Sequence, residues 1–424
     1  MPEVETLKNG LRIVHRPLPQ TGSVAIAVFV GTGGRFEDFD TNYGVTHFLE
    51  HLLFKGTQKR PNPKQIPEEI DGLGGYINAY TSTDRTCFYV KLPRQHWAQG
   101  LDILADIVLH PLFKEREIDR ERGVVIEEMK VDMDDPASYV FDLVGDLLWP
   151  TDMLRTNILG NEQIISSIKK SQIRDYYKKH YTINNIVISV SGNLEMWEIL
   201  NRTNELFNST TSPKTISPTP TKGTISRTRS SVLEQDTNQS HVVIAARAPQ
   251  MEADDEMAMR LLSVALGGGL SSRLSLNVRE RKGLAYTIYS SYSTYTDSGS
   301  FEIYAGINKL KLDQALRAIT TELARIRDTN IPERELAKVK EMMKGRLIMG
   351  NEDNSNIADR MGSQLILTGK AWPIEETLAK IDKVTAAAIR RAAARYLSPT
   401  KLRLALIGPH DQKQVHKFEQ ILAS

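Results

Sequence analysis

Three residues with metal-binding or acid–base side chains, His47, Glu50 and His51, stand at positions i, i+3 and i+4 of a mostly apolar stretch. A helix turns about 100° per residue, so it would carry all three on one face and bury the other face. The buried face of that helix would consist of Val45, Phe48, Leu49 and Leu52. Two imidazoles with a carboxylate beside them can hold a divalent metal ion on a helix surface. The spacing therefore predicts a metal-binding helix.

A zinc ion bound by two histidines needs a third protein ligand and keeps an open position for water. The charged segment 114–133 is predicted to be a long helix, and it contains three candidates, Glu121, Glu127 and Glu128. Glu121 and Glu128 would lie roughly 10 Å apart along the helix axis at 1.5 Å per residue, so one ion cannot bind both. Glu127 and Glu128 would point about 100° apart, and spacing alone does not choose between them.

The order His-x-x-Glu-His is the inverse of the zincin order, and here it continues into Phe54-Lys55-Gly56-Thr57. The segment from His47 to Thr57 resembles the active-site helix of the pitrilysin-type zinc metallopeptidases. The similarity is to the branch with the mitochondrial processing peptidase β subunit and its small bacterial homologues, and it covers nearly the whole chain. Three flanking segments share it: Asn9-Gly10-Leu11-Arg12, Gly34-Arg35-Phe36-Glu37 and Asn78-Ala79-Tyr80-Thr81.

The resemblance implies one Zn²⁺ per chain, bound by His47, His51 and Glu128, because the family pattern places its third ligand at Glu128. Zinc is expected from the ligand types, although two histidines and a carboxylate bind several divalent ions. Glu50 would act as general base toward a metal-activated water. Glu121 matches a residue that supports the metal site from outside the ligand set. A surface salt-bridge partner on a charged helix is an equally good interpretation of Glu121.

The same resemblance gives roles to two other regions. The segment Asn78-Ala79-Tyr80-Thr81 would be an edge strand whose unpaired backbone groups hold extended substrate. On its own it reads as part of an ordinary hairpin. In the second half of the chain, Arg279 and Tyr286 match a pair that reaches the metal site. A guanidinium can grip substrate carbonyls and a phenol can donate to a developing oxyanion, whereas the alternative is a surface arginine and a half-buried tyrosine.

The chain has 424 residues, 40% hydrophobic and 25% charged, and this length exceeds one ordinary domain core. A Ser/Thr/Pro-rich linker is predicted at 208–231, between a catalytic metal-binding domain at 1–207 and a second domain at 232–424. Pairs of similar segments about half a chain apart indicate that the second domain is a diverged repeat without the metal motif. The predicted fold class is α+β, with two homologous mixed α/β-sandwich domains of the processing-peptidase-like metallohydrolase type.

Hydrophobic periodicity predicts the elements around the site. Apolar residues alternate through Val24 to Val30, as in a strand. A strand led in by the Asn9-Gly10 turn is expected at residues 7–16. Further strands are expected at 76–81, 86–90 and 186–190, and helices at 97–109, 114–133 and 162–180.

The predicted function is a zinc-dependent endopeptidase that cleaves peptides or unfolded segments, most simply as a homodimer. Two alternatives stay open: a processing-peptidase subunit that needs a metal-free partner chain, and a protein that binds peptides without cleaving them. The net charge of +2 favours neither a nucleic-acid nor a membrane partner. No signal peptide or transmembrane segment is visible and Cys87 is the only cysteine. A cytoplasmic location is therefore expected, although a mature organellar chain would look the same.

Overall fold

The computed structural model describes residues 1–155, 157–208 and 217–423, and these residues form eleven β-strands and fifteen α-helices. The strands are β1 (Glu3–Thr6), β2 (Arg12–Pro17), β3 (Ser23–Val30), β4 (Tyr76–Thr81), β5 (Thr86–Pro93), β6 (Ile186–Gly192), β7 (Ser230–Glu234), β8 (Gln239–Arg247), β9 (Ala285–Thr294), β10 (Gly299–Asn308) and β11 (Arg403–Gly408). The helices of the first half are α1 (Val45–Leu53), α2 (Gln65–Gly72), α3 (Trp97–Leu109), α4 (Glu115–Asp134), α5 (Pro136–Leu148), α6 (Glu162–Ser167), α7 (Lys170–His180) and α8 (Met196–Leu206). Those of the second half are α9 (Glu256–Gly267), α10 (Leu312–Asp328), α11 (Glu333–Gly350), α12 (Asn354–Thr368), α13 (Ile374–Lys383), α14 (Ala386–Tyr396) and α15 (Val415–Ala423). Among the described residues, no helix combines the length and the apolar character that a membrane crossing requires.

The chain folds into two compact units, and each unit contains segments from both halves of the sequence. The first unit consists of Met1–Lys130, Asn157–Thr219 and Ile348–Ile374. The second unit consists of Val131–Thr156, Pro220–Leu347 and Glu375–Ser424. Helix α12 therefore belongs to the first unit and helix α5 to the second. Residues 209–216 of the predicted linker lie outside the described residues.

Each unit contains one mixed sheet, and the two sheets repeat the same strand order. In the first unit the order is β1-β2-β6-β3-β5-β4, with β2 and β6 parallel and the other neighbours antiparallel. In the second unit the order is β7-β11-β8-β10-β9, with β7 and β11 as the parallel pair. Apart from β1, each strand of one sheet has a counterpart in the other, as a duplicated fold requires. The predicted α+β class with two mixed α/β domains is confirmed.

The sheet of the first unit is covered on both faces, which explains why its central strand β3 is apolar at nearly every position. Val24, Ile26 and Val28 join the larger core, to which helices α1 and α3 contribute. On the other face, Ala25, Ala27 and Phe29 pack against buried residues of helix α12. The residues that α12 adds to this smaller core are Ile357, Ala358, Met361 and Leu365. Both faces of β3 are therefore buried.

Gly362 lets helix α12 lie directly on the sheet, because a Cβ at this position would overlap the ring of Phe29. Gly362→Ala is expected to destabilise the protein by about 1–3 kcal/mol, the usual cost of overpacking a filled core. The measurement is the urea unfolding midpoint. Gly345→Ala is the matched control, because a Cβ on this α11 glycine would have no neighbour within 4 Å. The control should stabilise by about 0.5–1 kcal/mol, and equal effects of the two changes would contradict the packing.

The predicted strand at residues 7–16 is wrong in its first half. Leu7 begins a short turn in which the N–H of Gly10 donates to the carbonyl of Leu7 at 2.9 Å. This turn joins β1 to β2, and the two strands pair antiparallel. The expected Asn9-Gly10 turn is present, and the strand that follows it begins only at Arg12.

The predicted helix at 162–180 is two helices, because the backbone is extended at Ile168 and Lys169. The carbonyls of Ile165 and Ile168 accept hydrogen bonds from the guanidinium of Arg122, which lies on helix α4. These acceptors would otherwise be left without partners at the end of α6. A side chain about 40 residues away therefore stabilises a break that local periodicity does not show.

Candidate metal centre

The amino end of helix α1 is held by a buried carboxylate. Glu37, which is 7% exposed, accepts hydrogen bonds from the backbone N–H groups of Gly44 and Thr46, each at 2.7 Å. These N–H groups have no partner inside the helix, and the positive end of the helix dipole faces the carboxylate. Gly44 has a φ of 92°, and a Cβ there would meet the carbonyl of Leu159. The first turn, which carries His47, is fixed by these contacts.

The structure brings His47, His51 and Glu128 together in the first unit. Nε2 of His51 lies 3.5 Å from Oε2 of Glu128, and Nε2 of His47 lies 3.9 Å from the same oxygen. One potential ligand atom from each of the three residues lies within 4.8 Å of the others. Glu127, which spacing alone left as an alternative, instead pairs with Lys130 at 2.7 Å, and its side chain is 71% exposed. Helices α1 and α4 therefore direct two nitrogens and one oxygen toward a common point.

This donor set suits a zinc ion. Bonds of about 2.0–2.2 Å in a tetrahedral zinc site separate the ligand atoms by roughly 3.3–3.6 Å, and the separations of 3.5 and 3.9 Å are close to that spacing. Burial lowers the pKa of His47 to about 4, and the neighbouring His51 acts in the same direction. The His47 imidazole is therefore neutral near pH 7, which is the form that binds a metal. Three protein ligands leave one position open, as in catalytic zinc sites.

Glu121 lies on the other side of the His51 ring and is almost fully buried, with 2% exposure. Its Oε2 is 3.3 Å from Nδ1 of His51, and its Oε1 is 3.0 Å from Nζ of Lys55. A carboxylate that accepts from Nδ1 fixes the ring orientation and presents Nε2 toward Glu128. Glu121 thus contacts one of the proposed ligands, His51, and its ion pair with Lys55 is buried at the carboxylate rather than on the surface.

Glu50 is held by the edge strand of the sheet. The hydroxyl of Thr81, at the end of β4, donates to Oε2 of Glu50 at 2.6 Å. Burial raises the pKa of Glu50, and the hydrogen bond from Thr81 opposes this shift. A carboxylate with a raised pKa is suited to accept a proton and later return it near neutral pH. Among the described residues, the converging group consists of His47, His51 and Glu128, and the carboxylate of Glu50 bonds to Thr81 instead.

Sequence reasoning assigned no role to Glu37 or Tyr176, and both support the metal-binding helix. The hydroxyl of Tyr176 lies 2.9 Å from Oγ1 of Thr46 and 3.1 Å from Oγ1 of Thr32. It thereby joins helix α1 to the chain just after β3. The sequence feature that could have indicated a role for Glu37 is the segment Gly34-Arg35-Phe36-Glu37. It resembles the family and ends in a carboxylate seven residues before Gly44. Nothing in the local sequence around Tyr176 indicates its contact.

Glu37→Gln is expected to destabilise the protein by about 1–3 kcal/mol, because an amide offers one acceptor oxygen where two backbone donors need partners. The urea unfolding midpoint measures the change. Glu68→Gln is the matched control, since Glu68 is exposed in the first turn of α2, and it should change stability by less than about 0.5 kcal/mol. If Glu37→Gln were as harmless as the control, the carboxylate would not be holding the helix.

Strand β4 lies at an edge of the first sheet, beside β5 and with no second strand partner among the described residues. Its alternate side chains face opposite ways. Ile77 and Ala79 pack against the core that contains helix α1, and Thr81 bonds to Glu50 on that side. Tyr80 contacts the smaller core with α12. The open edge of the segment Asn78-Ala79-Tyr80-Thr81 therefore lies next to the residue expected to move the proton.

Arg279 and Tyr286 both belong to the second unit. Arg279 lies in a π-helix, Ser275–Glu280, and its Nε is 3.6 Å from Oε1 of Glu280. Tyr286 is the second residue of β9, the edge strand of the second sheet, and is 61% exposed. Both side chains are accessible to solvent, and their catalytic role stays a prediction.

The fold and the site together define a class of protein. A duplicated α/β fold with one His-x-x-Glu-His helix and a glutamate supplied by a second helix is the arrangement of the inverted-motif metallopeptidases. Two family models match the chain: Insulinase (Peptidase family M16) over residues 12–162, and Peptidase M16 inactive domain over residues 167–343. The chain belongs to peptidase family M16. The second model falls on the half that lacks the metal motif.

Curated relatives and solved structures agree with this assignment. The chain is 36% identical over 406 residues to a Bacillus subtilis protein named uncharacterized zinc protease YmxG, covering 95% of this chain and 97% of the relative. A Streptomyces coelicolor protein, also named an uncharacterized zinc protease, is 31% identical over 424 residues, covering 99% and 92%. The crystal structure of a protease from Helicobacter pylori shares the fold, with a TM-score of 0.89 at 24% identity, covering 96% of this chain and all of that one.

Proposed function

We propose that this chain is a zinc-dependent endopeptidase that cleaves peptides or unfolded segments, with zinc bound by His47, His51 and Glu128. The observation that carries the proposal is the convergence of one ligand atom from each of these residues within 4.8 Å. Glu50 lies on the same helix and is bonded to the neighbouring edge strand. Membership of a peptidase family and the zinc-protease names of the relatives support the same activity.

Each side chain has a distinct task in the proposed reaction. A zinc ion at this site would supply a Lewis acid that activates water and polarises the scissile carbonyl. Glu50 accepts the proton of the attacking water and delivers it to the leaving amine, while Thr81 keeps the carboxylate in place. Glu121 holds the ring of His51 in its binding orientation.

Substrate binding is assigned to the edge strand and to the second unit. An extended peptide adds to the open edge of β4 at Asn78-Ala79-Tyr80-Thr81, and its backbone groups pair with those of the strand. Arg279 would grip a substrate carbonyl, and Tyr286 would donate a hydrogen bond to the developing oxyanion. The chain is proposed to act as a homodimer, for which light scattering should give twice the mass of one chain.

The test is a mass-resolved digest of an unstructured peptide of 20 to 30 residues by the purified chain alone, with and without a chelator. Internal cuts that disappear with the chelator and return with added zinc are the expected result. Cuts that persist in the chelator would contradict a metal-dependent reaction. Bound zinc without any cuts would contradict a self-sufficient peptidase, and would indicate a missing partner chain or a peptide-binding role.

A further inference from the structure

The edge strand β4 is tied to helix α12, which the chain supplies from its second half. Strand β4 pairs with β5 on one side and has no second strand neighbour among the described residues. The hydroxyl of Tyr80 donates to Oδ1 of Asp359, and the hydroxyl of Tyr76 lies 3.0 Å from Oγ of Ser355. Both acceptor residues belong to α12. These two contacts join the edge strand to the helix near each end of the strand.

Helix α12 is itself fixed to other strands of the first sheet. Nδ2 of Asn354, a residue with 3% exposure, donates to the carbonyl of Ser23 on β3 at 3.0 Å. Asp353, which caps the amino end of α12, pairs with Lys91 on β5 at 2.9 Å. The apolar contacts of α12 with β3 add to these polar ones. The helix is therefore held without any help from β4, and it can serve as a fixed support for that strand.

The bond between Tyr80 and Asp359 is expected to be the stronger of the two contacts with β4. Burial raises the pKa of Tyr80, so its hydroxyl stays protonated and available as a donor. A hydroxyl that donates to a carboxylate makes a charge-assisted hydrogen bond, which is stronger than a bond between two neutral groups. Tyr76 is 48% exposed and its partner Ser355 is neutral, so its contact contributes less.

Tyr80 is also the neighbour of the residue that bonds to Glu50. Consecutive side chains of a strand face opposite ways. Tyr80 therefore contacts the core that contains α12, whereas the hydroxyl of Thr81 donates to Oε2 of Glu50 on the helix α1 side. A strand with a neighbour on one side only is prone to open locally, and a peptide can pair along it only while it is extended. Anchoring Tyr80 opposes this opening at the end of β4 nearest to Glu50.

We propose that Asp359 is a positioning residue for peptide binding, which acts by holding the edge strand β4 through its hydrogen bond to Tyr80. The inference rests on the proposed function, because it takes β4 as the strand that pairs with substrate. A strand that is ordered before the peptide arrives lowers the conformational entropy cost of binding. The second half of the chain, which supplies none of the proposed metal ligands, thereby contributes to peptide affinity through α12.

Amide hydrogen exchange tests whether Asp359 holds the strand. In the Glu50→Gln protein with zinc present, adding Asp359→Ala should make the amides of residues 76–81 exchange about tenfold faster, because a charge-assisted hydrogen bond is lost. Asp359→Asn keeps an acceptor for Tyr80 and should bring exchange back to within about threefold of the parent protein. Asp71→Ala, the same change at an exposed position of α2, is the matched control and should change nothing. Unchanged exchange in Asp359→Ala would overturn the proposal.

Peptide affinity tests whether the held strand matters for substrate. The same proteins are titrated against a fluorescently labelled unstructured peptide, and binding is followed by anisotropy. Asp359→Ala should weaken binding about tenfold, whereas Asp359→Asn and Asp71→Ala should stay within about threefold of the parent. With Glu50 intact, Asp359→Ala should raise KM and leave kcat within about threefold, because a bound peptide orders the strand itself. Faster exchange with unchanged affinity, or a fall in kcat with unchanged KM, would overturn the proposal.

Tyr80→Phe provides a second variant in case Asp359→Ala does not fold. It removes the hydroxyl but keeps the ring, and it should reproduce both the faster exchange and the weaker binding. Combining it with Asp359→Ala should add nothing, because both changes remove the same contact. Additive effects would overturn the proposal. A failure of the proposed function shows separately, as absence of chelator-sensitive cuts by the wild-type chain, since exchange and affinity are measured without cleavage.

Discussion

Glu50→Gln should lower kcat for peptide cleavage by roughly a hundred- to ten-thousand-fold, the range that a general base contributes, while zinc stays bound. The amide is close in shape to the carboxylate and still offers an oxygen to the hydroxyl of Thr81, which donates at 2.6 Å. It cannot accept the proton of the attacking water. The measurements are kcat on a quenched fluorescent peptide and the zinc content of the purified variant.

Glu127→Gln is the matched control for this experiment. Glu127 carries the same functional group in the first unit, but its side chain is 71% exposed and pairs with Lys130. The control should keep both activity and zinc. A Glu50→Gln protein with wild-type kcat would remove Glu50 from the mechanism, and one that lost its zinc would make Glu50 part of the metal site instead.

Replacing three glutamates of helix α4 by glutamine, one at a time, should lower the affinity for zinc to three different extents. Glu121→Gln should weaken zinc binding about 10- to 100-fold, as is typical when a partner of a ligating histidine is changed. Glu128→Gln should weaken it by more than about 100-fold, because the change removes a ligand rather than its support. Glu127→Gln should leave it unchanged. Competition with a chromophoric chelator measures all three affinities.

The order of the three variants is the informative result. Oε2 of Glu128 lies 3.5 and 3.9 Å from the two histidine nitrogens, whereas Glu121 contacts Nδ1 of His51 and Nζ of Lys55. If Glu121→Gln lost more zinc affinity than Glu128→Gln, Glu121 would be the metal ligand and Glu128 the supporting residue. A loss in Glu127→Gln would show that helix α4 presents a different face to the metal.

Local spacing was sufficient to predict the arrangement of the site residues that lie on one helix. His47, Glu50 and His51 are four residues apart at most, and any α-helix places residues at this spacing on one face. The predicted helices at 97–109 and 114–133 are α3 and α4 within one residue, because their periodicity is long and uninterrupted. The duplicated fold was also visible, since similar segments recur in both halves of the chain.

Other features depend on contacts between distant segments, which spacing does not encode. Helix α4 carries Glu127 and Glu128 next to each other, and only its packing in the first unit turns Glu128 toward the histidines. Helix α12 belongs to the first unit, where Gly362 allows close contact with Phe29, more than 300 residues away in the sequence. The two backbone N–H groups that donate to Glu37 lie seven and nine residues further along the chain, and local spacing does not indicate these contacts.

The proposed metal centre can be located by an anomalous difference map at the zinc absorption edge, from crystals grown with zinc. We expect one strong peak per chain, about 2.0–2.2 Å from Nε2 of His47, Nε2 of His51 and an oxygen of Glu128. A map with no peak at this position, or with zinc bound by other residues, would contradict the proposed metal centre.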